Sequence, residues 1–146
     1  MIGKACWKNG YGYFKADATK CANEIESING AITRESVLEK ARDHNSELHK
    51  CFEWDDTVAA EKYRLVQAGE VLRFIVYEEE TKPTDRPEIR VFQITEKSEG
   101  YKPTKMIVKQ EDEYQKLLAN AWAELRAFKA KYACLEELRE IMDLIN

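Results

Sequence analysis

Residues 57–77 read TVAAEKYRLVQAGEVLRFIVY, and the way this stretch divides decides the fold. Leu65, Gly69, Leu72 and Val76 recur on one side of a helix, with Ala59, Tyr63 and Val66 widening the stripe. The spacing predicts a helix from about Thr57 to about Leu72. Val71 to Tyr77, however, is almost wholly apolar and rich in β-branched and aromatic residues, which suits a buried strand equally well. The segment therefore joins a helical amino-terminal part to a sheet, and the class it implies is α+β.

Upstream, residues 1–15 read as an aromatic arm in which Gly10 and Gly12 interleave with Tyr11, Tyr13 and Phe14, held to the core by its rings. Asp17 is placed to cap a first helix, whose apolar positions Ala18, Cys21, Ala22, Ile25 and Ile28 share one face before Asn29-Gly30 stops it. Thr33 puts a capping hydroxyl just ahead of Val37, Leu38 and Ala41, giving a second, short helix that ends near Asp43. Asp55 and Asp56 stand immediately before the 57–77 stretch. They are expected to cap its helix and to bind no metal.

Downstream, residues 82–87, KPTDRP, form a loop because each proline removes a ladder donor and restricts the residue before it. Glu88 to Thr95 alternates around Ile89, Val91 and Ile94, and Thr104 to Lys109 supplies Met106, Ile107 and Val108, with Gly100 and Pro103 between. That pattern predicts a hairpin, extended by Phe74 to Tyr77 into a three-stranded meander. From Glu111 a helical stripe runs through Tyr114, Leu117, Leu118, Ala121, Trp122, Leu125 and Phe128, and a second follows through Leu135, Leu138, Ile141, Met142 and Ile145. Lys131 to Cys134 holds no glycine, proline or strong cap, so the chain either turns there into a helical hairpin or continues as one bent helix. Any part of Leu135 to Ile145 left uncovered is expected to mediate a homodimer through this C-terminal helix.

The expected layout is one α+β domain spanning residues 1–146: the arm (1–15), three helices (16–72), a small antiparallel sheet (73–110) and a long C-terminal helix or helical hairpin (111–146). Three helices followed by a hairpin are also compatible with a winged-helix arrangement. At 44% hydrophobic and 34% charged residues, with six glycines and three prolines, the chain is not of the collagen-like or disordered classes. No apolar run approaches a membrane span and no signal peptide is legible, so a cytoplasmic place and no membrane partner are expected. The four cysteines, Cys6, Cys21, Cys51 and Cys134, show no C-x-x-C spacing and read as free thiols of a reducing compartment.

The densest set of potential metal ligands is His44, His49 and Cys51, but their spacing matches no closed zinc site. Cys–His nucleophilic catalysis would also need an orienting third group and an oxyanion site, and neither is legible. Glu53, Asp55 and Asp56 are better explained by capping than by a hard cation, and Phe52 and Trp54 by packing than by ligand stacking. There is no P-loop, G-x-G-x-x-G, H-E-x-x-H or G-x-S-x-G. No catalytic residue, cofactor or metal is therefore assigned, and the chain is not expected to be an enzyme.

For nucleic acid, a reading helix would present Lys62, Arg64 and Arg73, with Arg86 and Arg90 on or beside the loop between strands. Glu61, Glu70 and Glu78 to Glu80 interrupt this set, and the net charge of the chain is −4. Strong non-specific affinity is excluded on that balance, while specific contacts by a few arginines are not.

Residues 46–68, SELHKCFEWDDTVAAEKYRLVQA, contain the pattern L-H-x3-F-x-W-D-D-x3-A-x2-Y-R. In this pattern, continued back through residues 13–18 and forward into 111–132, the chain resembles a family of small phage and prophage proteins with no assigned activity. The resemblance implies a phage setting and transfers no catalytic residue. The resulting expectation is a non-enzymatic accessory protein that binds a macromolecule, a host or phage protein, and acts by inhibiting a host protein or nucleoprotein such as a defence nuclease of the CRISPR type. The alternative is a winged-helix-like regulator that binds specific DNA through residues 57–73.

Overall fold

Two side-chain caps set the first helices of the computed structural model, which describes residues 4–8, 15–58, 60–78 and 88–146. The Asp17 carboxylate accepts from the amides of Thr19 and Lys20 at 2.9 and 3.2 Å, opening α1 (Ala18–Glu26). Thr33 Oγ1 accepts from Ser36 N at 3.0 Å while Ser36 Oγ accepts from Thr33 N at 2.8 Å, and this reciprocal box opens α2 (Arg34–Ala41). A 3-10 helix, Glu47–Cys51, follows. It is tied to α1 in both directions: Glu24 accepts from the amides of Glu47 and Leu48 at 2.7 and 3.2 Å, and Glu47 accepts from Asp17 N at 2.7 Å. Each carboxylate therefore satisfies amides at the start of the other element.

The third helix, α3 (Glu61–Phe74), begins later than its stripe suggests, after Ala60 and with no side-chain cap. The expected Asp55-Asp56 cap is corrected here. Asp55 Oδ1 accepts from Thr57 N at 3.0 Å and from Thr57 Oγ1 at 2.7 Å, while its carbonyl accepts from Val58 N at 2.9 Å. The aspartate closes its own turn upstream of the helix, and Asp56 pairs with Arg64 instead. At its far end α3 passes directly into β2 (Ile75–Tyr77).

β1 (Ala5–Trp7) pairs antiparallel with β2, Cys6 opposite Val76, and Trp7 Nε1 donates to Ala16 O at 2.8 Å, pinning this strand by its ring. The rest of the expected aromatic arm, residues 1–3 and 9–14, lies outside the described residues. On the other side of β2, Tyr77 N donates to Ile89 O at 2.9 Å and Val91 N to Ile75 O at 3.1 Å, an isolated bridge that ties the segment leading into β3 (Phe92–Glu96) to β2. Two strand pairs, β1 with β2 and β3 with Gly100–Pro103, therefore stand in place of the expected three-stranded meander.

The hairpin partner of β3 is β4 (Gly100–Pro103), joined to it by a 3-10 turn over Lys97–Glu99. The expected strand over Thr104 to Lys109 is thereby corrected, since Thr104–Ile107 is a short helix, α4. The first residue of β4 is a glycine because Gly100 sits at φ 77° against another segment: Tyr101 N donates to Ile32 O at 2.6 Å, and a Cβ on Gly100 would collide with that same oxygen. Pro103 ends the ladder, and Thr104 then folds back, its N donating to Val91 O and its Oγ1 to Arg90 O, both at 2.7 Å.

These elements belong to a compact unit of residues 1–106, whose core gathers Cys21, Ile25, Val37, Leu38, Leu48, Val71, Leu72, Ile75 and Phe92. A second unit, residues 107–146, is built on α5 (Glu111–Lys131), with Glu111, Asp112 and Glu113 in its first turn and Lys129 and Lys131 in its last. The open choice between one rod and a return resolves as a return. α5 closes at Tyr132, a 3-10 turn spans Glu136–Leu138, α6 (Arg139–Met142) follows, and Lys129 Nζ donates to Ile145 O at 2.8 Å. The whole is an α+β fold of several helices with small antiparallel strand pairs. No helix among the described residues is long and apolar enough to cross a membrane.

Candidate functional site

The pattern over residues 48–64 folds into one assembly at the start of α3. Leu48 and Phe52 enter the core, which fixes the residues between and beside them. His49 and Trp54 then stack with ring centroids 4.7 Å apart and planes 6° from parallel, and His44 lies against the outer face of His49 at 4.5 Å. Both inner rings are also tethered by polar edges: Trp54 Nε1 donates to His49 O at 2.8 Å, and His49 Nδ1 lies 2.9 Å from Ala41 O, where only a protonated nitrogen makes a bond. The Arg64 guanidinium closes the column, 5.2 Å from the Trp54 ring centroid.

Arg64 is only 6% exposed, so it is not one of the outward-facing basic residues that the reading-helix expectation requires. Its Nε donates to Glu53 O at 3.0 Å, its Nη2 bonds Asp56, and its Nη1 lies 3.8 Å from Glu61, which also pairs with Arg42. Hydrophobic periodicity misses this because arginine is counted as polar. Its position on the apolar side of α3, next to Ala68, Val71 and Leu72 in helical register, is the signal that would have found it.

The other predicted contacts scatter. Lys62 and Arg73 are exposed on α3 about three turns apart, on one side of the helix. The Arg73 guanidinium rests 5.4 Å from the Phe74 ring centroid. Arg90 is exposed and bridges to Val76 through its backbone, while Arg86 lies outside the described residues. The same outer side of α3 carries Tyr63 and Val66, each 48% exposed, which the sequence pattern assigned to the buried stripe. At about 100° per residue Tyr63 lies roughly 160° round the helix from Leu65, so its exposure was readable from the angle.

Beside this face is an open cleft of about 390 Å³ whose wall includes Lys50, Glu53, Tyr63, Gln67 and Glu70. Gln67 Oε1 accepts from Glu53 N at 3.2 Å and so braces one side of it. Cys51 forms part of the floor with its sulfur 3.9 Å from that of Cys21. This contact, together with burial, pushes the Cys21 thiol far up from its ordinary value. Among the described residues no group of three or more histidine, cysteine, aspartate or glutamate side chains converges as a metal site.

No family model matches the chain, and no curated protein or solved structure matches it either.

Proposed function

We propose that the protein is a non-enzymatic accessory protein that works by binding another protein through the outer face of α3 and the cleft beside it. The observation that carries this reading is the exposure of Tyr63 and Val66, 48% each, on a helix whose opposite face is buried. Aromatic and aliphatic side chains ringed by polar ones are what protein interfaces present. Glu53 and Glu70 in the cleft wall, within a chain of net charge −4, favour a partner that brings basic as well as apolar groups. In the phage setting that the sequence resemblance implies, the nucleic-acid channel of a host defence nuclease has that chemistry, and an acidic chain would speed the encounter.

The second reading is a specific DNA-binding regulator with a winged-helix arrangement. It is favoured by Lys62 and Arg73 sharing the exposed side of α3 and by the hairpin that follows the three helices. Without Arg64, which is spent inside the fold, it retains few cations among several carboxylates.

A photo-cross-linking residue at position 66, in the full chain expressed in host cells, separates the two. The expected product is a protein adduct of one defined mass, lost on Tyr63→Lys and retained in Lys62→Ala/Arg73→Ala. A DNA adduct confined to one operator and lost on Lys62→Ala/Arg73→Ala would replace this reading with the regulator.

A further inference from the structure

We infer that α5 pairs antiparallel with the α5 of a second copy of this chain. The helix carries a continuous stripe of large apolar side chains, Tyr114, Leu118, Trp122, Leu125 and Phe128, each between 37% and 45% exposed. Spacings of three and four keep them on one side over the length of the helix, about 31 Å at about 1.5 Å per residue. A surface of this kind calls for a partner, and two further features say which one.

The first feature is the order of charges. The helix begins Glu111-Asp112-Glu113 and ends with Lys129 and Lys131 in its last turn. Two parallel copies would set acid against acid at one end and base against base at the other. Antiparallel copies set each acidic end against a basic end. The second feature is that the stripe is nearly symmetric about its midpoint at Ala121. Turning the helix end for end brings Tyr114 opposite Phe128 and Leu118 opposite Leu125, with Ala121 and Trp122 meeting their own images at the axis. In the same register Glu111 of one copy faces Lys129 of the other along one flank of the seam. Such a surface is complementary to its own image under a two-fold axis, which is the condition for a closed dimer.

Glu113 is buried and pairs with Lys116 at 3.4 Å in its own helix, so it takes no part in the seam, and Lys129 Nζ also donates to Ile145 O, so its charge is shared rather than newly engaged by pairing. The contribution of the end charges is orientation. The apolar stripe supplies the association.

The test is sedimentation equilibrium of the full chain over a range of concentrations, with three sets of variants. Wild type should show a reversible monomer–dimer equilibrium. Leu118→Lys/Leu125→Lys should be monomeric, with the thermal unfolding curve of wild type diluted below its dimerisation range. Glu111→Lys and Lys129→Glu should each dimerise roughly fivefold more weakly, and mixing them should restore association as a heterodimer. Labels on the exposed Cys134 fix the orientation, since antiparallel pairing separates them by about the length of α5 while parallel pairing brings them together. A wild-type monomer at high micromolar concentration, or a dimer whose Cys134 labels are adjacent, would overturn the inference.

Discussion

Arg64 shows how one residue can look like a recognition group in the sequence and be a structural one in the fold. It reaches Glu53 O with Nε, Asp56 and Glu61 with its other nitrogens, and Trp54 with its flat face, a combination that a lysine cannot reproduce. Arg64→Lys should therefore cost about 1–2 kcal/mol in urea unfolding, although the charge is kept. Gly100 is a second such residue. Replacing it with alanine strains a positive φ and drives a methyl group into the Ile32 carbonyl, which must then release the Tyr101 amide. The loss should exceed about 2 kcal/mol and appear as a lowered Tm, whereas alanine at Gly30, where φ is 88° but the surroundings are open, should lose only the backbone part, about 1–2 kcal/mol at most.

At the scale of elements, the helix starts divide by what holds them. Asp17→Ala removes a cap bonded to two amides and should cost about 0.5–2 kcal/mol, while Asp55→Ala opens only an exposed turn and should leave α3 formed by circular dichroism. The tie that Glu47 makes to the start of α1 also makes stability depend on pH. The Asp17 amide, and after it Lys50, hold the Glu47 carboxyl below its ordinary 4.5. A depressed folded-state value means the contribution is present above about 4.5 and disappears as pH falls through the lower, folded value. Denaturant titrations across that acid range should fall more steeply for wild type than for Glu47→Gln.

These same elements show what the sequence allowed to be read. Asp17 and Thr33 act on amides two or three residues away, so α1 and α2 start where their local chemistry says. Asp55 and Asp56 are equally good caps by type. Their use is decided by Thr57 next door and by Arg64 two turns on, so the start of α3 was misread. The hairpin was misplaced for a longer-range reason: Gly100 resembles a turn residue until Ile32, far away in the chain, is brought against it. The candidate site was half legible. Periodicity pointed to the right helix, but it assigned Arg64 outward and Tyr63 and Val66 inward, because polarity alone does not say which long side chain has a buried set of partners.

Over the whole molecule, composition and charge point the same way as the residues. With a net charge of −4 and no segment of the chain strongly basic, affinity for random duplex DNA should be weak, with little dependence on salt between about 50 and 200 mM. What the molecule offers instead is one helix with its labour divided: an inner face that holds the Trp54–Arg64 assembly to the core, and an outer face with exposed apolar side chains beside an acidic-walled cleft. The most direct measurement of that division is the affinity of the cross-linked partner protein for two variants, Arg64→Ala and Val66→Asp, each measured on the folded fraction. The prediction is that Val66→Asp weakens binding at least about tenfold, whereas Arg64→Ala, though less stable, binds as wild type once folded. An Arg64→Ala chain that is fully stable yet has lost its partner, or has lost a specific DNA site, would contradict it.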